Sequence, residues 1–218
     1  MLQSRRARWV LAIATAAALA VAVAAPAHAA TLYLDTFQDG NADGWTFTNG
    51  SWSVVAEDGA SLVLRQAATF GDARAVATVP GRGSGPATLV FALAKPRGWS
   101  FNGSVAVLFT AADANNYFFV ALRPTALQIG KRQNGVFTVL ASVPYAPAVG
   151  TWHRLTIDLT VPTRITAVAA GTFPGAIVTV SGQPPFGFGN RVGFATRNAT
   201  ASFDNIQIED DVPPPPPS

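Results

Sequence analysis

The sequence predicts an all-β fold, an antiparallel β-sandwich, over most of its length. About a dozen short runs rich in β-branched and aromatic residues alternate with Gly, Pro, Asn and Asp, at the spacing typical of sandwiches. No helical periodicity appears beyond the N-terminal segment, and residues 115–135 read as strands joined by recognisable turns. We therefore expect a sheet protein whose functional residues are placed by strand alternation.

The N-terminal 29 residues have the pattern of a secretory signal peptide. A basic start is followed by an apolar run from Trp9 to Ala25 and by the small-residue site Ala27-His28-Ala29. A membrane anchor is the alternative, but the apolar run is short for a span and the cleavage pattern argues against it. The sequence predicts a secreted protein without membrane contact after cleavage.

The charge and cysteine content narrow the class of protein further. The chain carries 15 basic and 12 acidic residues, and removal of residues 1–29 takes three arginines away. The remaining chain is formally neutral, so nucleic acid is not an expected partner. It has no cysteine, and an exported domain without disulfides must rely on a core or a metal. Its length suits one domain, residues 30–209, which we expect to be a monomer.

The predicted strands follow one another along this domain, with turn signals at Asn49-Gly50 and Asp58-Gly59. The final segment, 210–218, contains five consecutive prolines and is interpreted as a stiff tail or truncated linker. Outside the central stretch, the runs cover residues 45–47, 51–55, 61–66, 73–79, 87–94, 105–110, 136–143, 152–159, 165–169, 176–180, 191–195 and 201–208.

The central stretch, residues 115–135, predicts strands at about 117–123 and 126–132 and a third from Val136. It breaks at Arg123-Pro124-Thr125 and closes on Asn134-Gly135, the strongest short hairpin signal. Because side chains on a strand alternate between faces, one face should enter the core and the other should be free for a ligand. The core face is predicted to carry Phe118, Val120 and Leu122, and the free face Tyr117, Phe119, Ala121, Arg123, Gln128 and Arg132.

A series of short motifs follows in a fixed order along the domain, at residues 35–40, 44–45, 50–54, 65–66, 115–118, 121–123, 130–135, 150–152, 191–196 and 201–206. Together they resemble the concanavalin A-like, laminin-G-like modules appended to secreted bacterial pectate lyases. The resemblance implies a jelly-roll β-sandwich that binds polysaccharide. The sequence departs from the family's pattern after Leu159, where residues 161–163 and 171–174 are irregular.

No catalytic residue is assigned from the sequence. Glycoside hydrolysis normally uses a pair of carboxylates, whereas the only glutamates, Glu57 and Glu209, do not form such a pair on one strand. His153, the single histidine after residue 29, is expected at the surface or at a sheet edge. A polysaccharide lyase or glycoside hydrolase with unfamiliar residues, and a structural or adhesive surface module, remain as alternatives.

Asp35 and Asp204 are candidate ligands of a structural calcium ion. Calcium prefers oxygen ligands, and these two residues would meet if the first and last strands were paired. Such a site would tie the two ends of a disulfide-free domain together. The alternative is that each carboxylate caps a turn or accepts hydrogen bonds from the backbone.

Sugar recognition requires aromatic faces for the apolar side of the ring and planar polar groups for the hydroxyls. Guanidinium groups also pair with carboxylates in a bidentate way, which favours uronic-acid polymers. The alternative is that the arginines pair with Asp72, Asp113 and Asp158 on a solvated surface. The candidate ligand-binding residues are Arg65, Trp99, Asn115, Tyr117, Arg123, Gln128 and Arg132.

Overall fold

The computed structural model describes residues 30–81, 88–171, 174–182 and 189–210. The predicted signal peptide and residues 211–218 of the tail lie outside these ranges. No helix in the described ranges is long and apolar enough to cross a membrane. Thirteen strands are present in this part of the chain: β1 Ala30–Asp35, β2 Trp45–Thr48, β3 Trp52–Glu57, β4 Ser61–Gln66, β5 Asp72–Thr78, β6 Thr88–Asp113, β7 Asn116–Arg123, β8 Ala126–Gln133, β9 Val136–Pro144, β10 His153–Asp158, β11 Arg164–Ala170, β12 Ala176–Ser181 and β13 Arg191–Asp210.

The strands form two antiparallel layers joined by the two long strands, β6 and β13. Sheet I has the order β12-β11-β10-β6-β13-β4-β3, with β1 also paired to β13. Sheet II has the order β2-β5-β13-β6-β7-β8-β9. The N-terminal part of β6 lies in sheet I and its C-terminal part in sheet II. In β13 the order is reversed, with the N-terminal part in sheet II and the C-terminal part in sheet I. The predicted all-β jelly-roll β-sandwich is confirmed.

The main core lies between the two sheets. Phe118, Val120 and Leu122 are buried in it, as their alternation predicts. Phe194 of sheet II stacks on Phe203 of sheet I, with ring centroids 4.4 Å apart. Their contact shows that the inner faces of the sheets pack directly on each other.

The central hairpins match the prediction closely. The backbone φ is 51° at Asn134 and 82° at Gly135, which is the left-handed conformation that a two-residue hairpin turn requires. This turn sets the register between β8 and β9, where Arg132 lies opposite Phe137. The preceding turn places Tyr117 opposite Arg132. Three neighbouring strands therefore have their outward side chains aligned.

The strand pattern differs from the prediction in two ways. Residues 88–94 of the first of these runs and the run 105–110 belong to the single strand β6, and the runs 191–195 and 201–208 belong to β13. Register shifts between Arg197 and Ala199, and between Thr200 and Ala201, let both strands bend and change sheet without ending. The N-terminal strand β1, absent from the predicted runs, pairs with the end of β13.

The expected surface or edge position of His153 is wrong, because the side chain is 0% exposed. Its Nδ1 lies 2.8 Å from the Tyr145 hydroxyl and its Nε2 lies 3.2 Å from the carbonyl of Ala148. Both contacts are satisfied by a neutral ring that donates from Nε2 and accepts at Nδ1. Burial lowers the pKa of His153, against the opposing effect of the Ala148 carbonyl.

Candidate functional site

A groove lies on the outer face of sheet II, and its floor consists of alanines. Ala195, Ala106 and Ala121 are consecutive cross-strand partners on β13, β6 and β7. All three line the groove, together with the next residues in the same row, Arg74 on β5 and Gln128 on β8. Because a methyl group projects little from a sheet, this row forms a depression between taller side chains.

One wall of the groove is apolar. Leu108 and Phe119 lie opposite each other in the register of β6 and β7, and Tyr117 and Phe137 continue the wall. The ring of Phe119 meets those of Tyr117 and Phe137 edge-on, with centroids 6.4 Å and 6.2 Å apart. Edge-on packing is a favourable arrangement for aromatic rings and holds them in place.

The opposite wall is polar. Arg197 on β13 is flanked by Asp72 on β5 and by Ser104 on β6, and Arg123 on β7 lies next to Ser104. Arg197 and Asp72 form an ion pair of 3.5 Å, but both side chains are more than a third exposed. Solvated pairs of this kind contribute little to stability. The Arg197 guanidinium also lies 5.8 Å from the centre of the Phe137 ring, so it extends from the polar wall towards the aromatic wall.

Arg123 is the cation of this wall that lacks a partner in the fold. No hydrogen bond or ion pair joins its guanidinium to another residue of the described ranges. Burial lowers the pKa of Arg123, and the positive charge of Arg197 lowers it further. An anionic or strongly accepting group bound between the two arginines would stabilise the charged form of Arg123 and oppose the lowering of its pKa.

The structure brings three of the seven predicted ligand-binding residues together. Tyr117, Arg123 and Gln128 line the groove. Arg132 does not line the groove but contacts its aromatic wall. The guanidinium lies 4.8 Å from the centre of the Phe137 ring, and Nε donates to the carbonyl of Gly135.

Trp99 and Asn115 are not brought into the groove. Trp99 is opposite Ala199, at the bend of β6, and packs against the main core. Asn115 is in the turn between β6 and β7, where its amide donates to the Asp113 carboxylate and its carbonyl accepts from Gly135. Both predicted ligand-binding residues therefore lie outside the described lining of the groove.

Arg65 belongs to a charge cluster on sheet I and not to the face that carries Arg123. Its guanidinium donates to Glu57 at 2.8 Å, and the same carboxylate accepts from Ser202 at 2.5 Å. Lys95 and Arg97 also contact Glu57, at 2.9 Å and 2.5 Å. Burial alone would raise the pKa of Glu57, but these hydrogen bonds and the Arg97 charge lower it to about 2.

Arg74, Arg197 and Phe137 are among the groove residues that sequence reasoning missed. Phe137 could have been found, because the Asn134-Gly135 turn places it opposite Arg132, which is itself opposite Tyr117. No local signal places the two arginines, since β5 and β13 reach this sheet only through pairing between distant parts of the chain.

Asp35 and Asp204 lie on neighbouring strands, because β1 pairs with β13 and Asp35 is opposite Ile206. Burial raises the pKa of Asp204 to about 6, and the charge of Asp35 adds to this effect although the Asn205 amide opposes it. Asp35 accepts from the amide of Phe37 at 2.8 Å and from Trp45 Nε1 at 2.6 Å. No group of three or more His, Cys, Asp or Glu that could hold a metal occurs within the described ranges.

No protein-family model and no curated protein matches the sequence. Among solved structures, the chain is similar to the carbohydrate binding module CBM66 from Bacillus subtilis, with a TM-score of 0.60 and 18% identity over 77% of this chain and 96% of that one. It is also similar to domain 4 of AbnA, a GH43 extracellular arabinanase from Geobacillus stearothermophilus, in complex with arabinotriose (TM-score 0.55, 12% identity, 86% and 95% covered).

A third similar structure is the GH43 protein BlXynB from Bacillus licheniformis, with a TM-score of 0.60 and 15% identity over 81% of this chain. The match covers 39% of that protein, so this chain corresponds to about two fifths of it. At these identities the similarity concerns the fold alone. The chain has a β-sandwich fold similar to that of these structures.

Proposed function

We propose that the protein is a secreted, non-catalytic carbohydrate-binding module whose groove on sheet II binds an acidic polysaccharide. The observation that carries this proposal is the position of Arg123 across an alanine floor from Phe119. Its guanidinium is partly buried and has no hydrogen-bond or ion-pair partner among the described residues. An aromatic wall suits the apolar face of a sugar ring, and the guanidinium suits its polar substituents.

The arrangement favours uronic-acid polymers over neutral glycans. Three arginines line the groove, Arg74, Arg123 and Arg197, and among its described lining residues only Asp72 carries a carboxylate. The Arg74 guanidinium donates to the carbonyl of Ala114 at 3.1 Å, in the turn between β6 and β7, so Arg123 and Arg197 are the two guanidinium groups at the polar wall. A carboxylate on the sugar could accept two parallel hydrogen bonds from one guanidinium, which a hydroxyl cannot do.

The comparisons support a polysaccharide as the ligand class. One similar structure is named a carbohydrate binding module, and another is a domain in complex with arabinotriose. The alternative of a glycoside hydrolase would normally need two carboxylates beside the bond that breaks. A lyase is distinguished by its unsaturated products. Within the described lining of the groove, Asp72 is the only carboxylate, and it is paired with Arg197.

Isothermal titration of the purified protein with polygalacturonate and with a neutral glucan tests the proposal. We expect binding to polygalacturonate that weakens with added salt, and weaker binding to the glucan. Ala195→Leu places a larger side chain on the groove floor and should abolish binding without unfolding the protein. Leu34→Ala, at an exposed position on sheet I, is the matched control and should bind normally.

Three results would contradict the proposal. Unchanged binding by Ala195→Leu would show that the ligand lies elsewhere. Equal affinity for the two polymers would remove the role assigned to the arginines. Release of new reducing ends or unsaturated products from polygalacturonate would show that the protein is an enzyme.

A further inference from the structure

Two phenylalanines are almost fully exposed near the groove. Phe70 is 84% exposed and Phe101 is 88% exposed, although removal of aromatic surface from water is favourable. Single exposed apolar side chains are common on proteins and need no explanation. These two differ because they occur as a pair at one end of one sheet.

The strand register places both at the same end of sheet II. Asp72, at the start of β5, and Ser104, on β6, are both opposite Arg197 of β13. Phe70 precedes Asp72 by two residues and Phe101 precedes Ser104 by three. Since β5 and this part of β6 run in the same direction, both phenylalanines lie just beyond the polar wall of the groove.

Asn198 anchors both segments that carry these phenylalanines. Its amide donates to the carbonyl of Gly71, and its Oδ1 accepts from the amide of Gly71, each at 3.0 Å. Its carbonyl packs so closely on Gly103 that a Cβ there would lie 3.0 Å away. The neighbouring backbone of both exposed rings is therefore held in position.

The polar wall projects least from the sheet at the position between its two arginines. Ser104 has the smallest side chain of that wall and separates Arg197 from Arg123. On β6, the outward residues that line the groove are Leu108, Ala106 and Ser104. Phe101 follows three residues further along β6, in the irregular stretch between Ser104, which pairs with Arg197, and Trp99, which pairs with Ala199. This line of residues forms a path from the aromatic wall, across the floor and out of the groove.

We propose that a bound glycan leaves the groove over Ser104 and stacks on Phe101, with Phe70 beside it. This inference rests on the proposed function and narrows it, because it specifies an internal stretch of a long chain as the ligand. The groove alone holds a short oligosaccharide. The two exposed rings add contacts that only a longer chain can reach.

The test compares trigalacturonic acid with polygalacturonate by isothermal titration. The proteins are the wild type, Phe70→Ala, Phe101→Ala, the double variant and the control Leu34→Ala. The double variant should bind polygalacturonate about tenfold more weakly than the wild type, which corresponds to loss of two aromatic contacts. Its affinity for trigalacturonic acid should be unchanged, and Leu34→Ala should match the wild type with both ligands.

The other outcomes separate the two proposals. If the double variant binds the polymer as the wild type does, or loses affinity for both ligands equally, the path over Ser104 is wrong and the groove remains. If Leu34→Ala loses as much affinity as the double variant, the rings have no specific role and the inference is likewise overturned. If the wild type binds neither ligand, the proposed function fails and this inference fails with it.

Discussion

The ring of Phe119 lies directly over Gly130, its cross-strand partner on β8. A Cβ added at Gly130 would be 2.3 Å from Cζ of Phe119 and 2.8 Å from both Cε atoms. The absence of a side chain on β8 therefore allows the aromatic wall of the groove to lie close to the sheet. Any larger residue at this position must displace the ring.

Gly130→Ala should destabilise the protein by about 1–3 kcal/mol and weaken glycan binding, because the methyl group overpacks the wall. Thermal unfolding and titration measure the two effects. In the background of Phe119→Ala, the same substitution should cost little stability. Gly98→Ala is the control, since its Cβ would meet Thr200 at an ordinary 3.5 Å. Equal destabilisation by the two glycine substitutions would mean that the Phe119 contact has no special role.

Arg123→Ala should weaken binding to polygalacturonate by about 1.5–3 kcal/mol, the usual contribution of a charge-assisted hydrogen bond. Arg123→Lys should recover only part of this loss, because an ammonium group cannot form two parallel bonds to a carboxylate. Arg154→Ala removes an exposed arginine of sheet I and serves as the control. If all four proteins bind with equal affinity, Arg123 is only a solvated strand residue.

Glu57→Gln should lower the free energy of unfolding at pH 7 by about 3 kcal/mol, because it leaves three cations around a buried neutral group. The Glu57 side chain is 5% exposed, and its pKa falls from 4.5 to about 2 on folding. An acid whose pKa falls on folding stabilises the protein above its unfolded pKa. That stability is lost as the pH drops from about 4.5 towards 2.

Chemical denaturation between pH 2 and 7 measures this dependence. The wild type should lose stability steeply over that interval, whereas Glu57→Gln should show a flatter profile. Asp43→Asn changes an exposed turn carboxylate and should leave the profile as in the wild type. A Glu57→Gln profile parallel to that of the wild type would show that the cluster does not couple folding to Glu57 ionisation.

We propose that calcium binds between Asp35 and Asp204, with oxygens of nearby residues completing the ligands. The negative charge of Asp35 adds to the rise in the pKa of Asp204, and a divalent cation bound between them would offset that repulsion. Calcium should raise the melting temperature and chelator should lower it, by an amount set by affinity and concentration. Asp204→Ala should abolish this response and Asp43→Asn should preserve it. If neither calcium nor chelator changes the melting temperature of the wild type, the proposed calcium site is wrong.

The central hairpins were predictable because their geometry is local. The alternation in residues 115–135 and the turn at Asn134-Gly135 fix which side chains share a face, and the turn geometry fixes their register. Tyr117, Arg123 and Gln128 were therefore assigned to one face from the sequence, and all three line the groove.

The rest of the groove depends on pairings between distant segments. Arg197 meets Arg123 only because β13 and β7 flank β6, and β5 brings Arg74 to the same sheet. Arg65 has the same outward alternation as Arg123, yet β4 pairs with the other half of β13, in sheet I. Strand alternation determines which side of its own sheet a residue faces. Only the tertiary structure decides to which sheet the strand belongs. The reason is that strands pair through backbone hydrogen bonds, which are the same for every residue and do not show in the sequence which distant segments will pair.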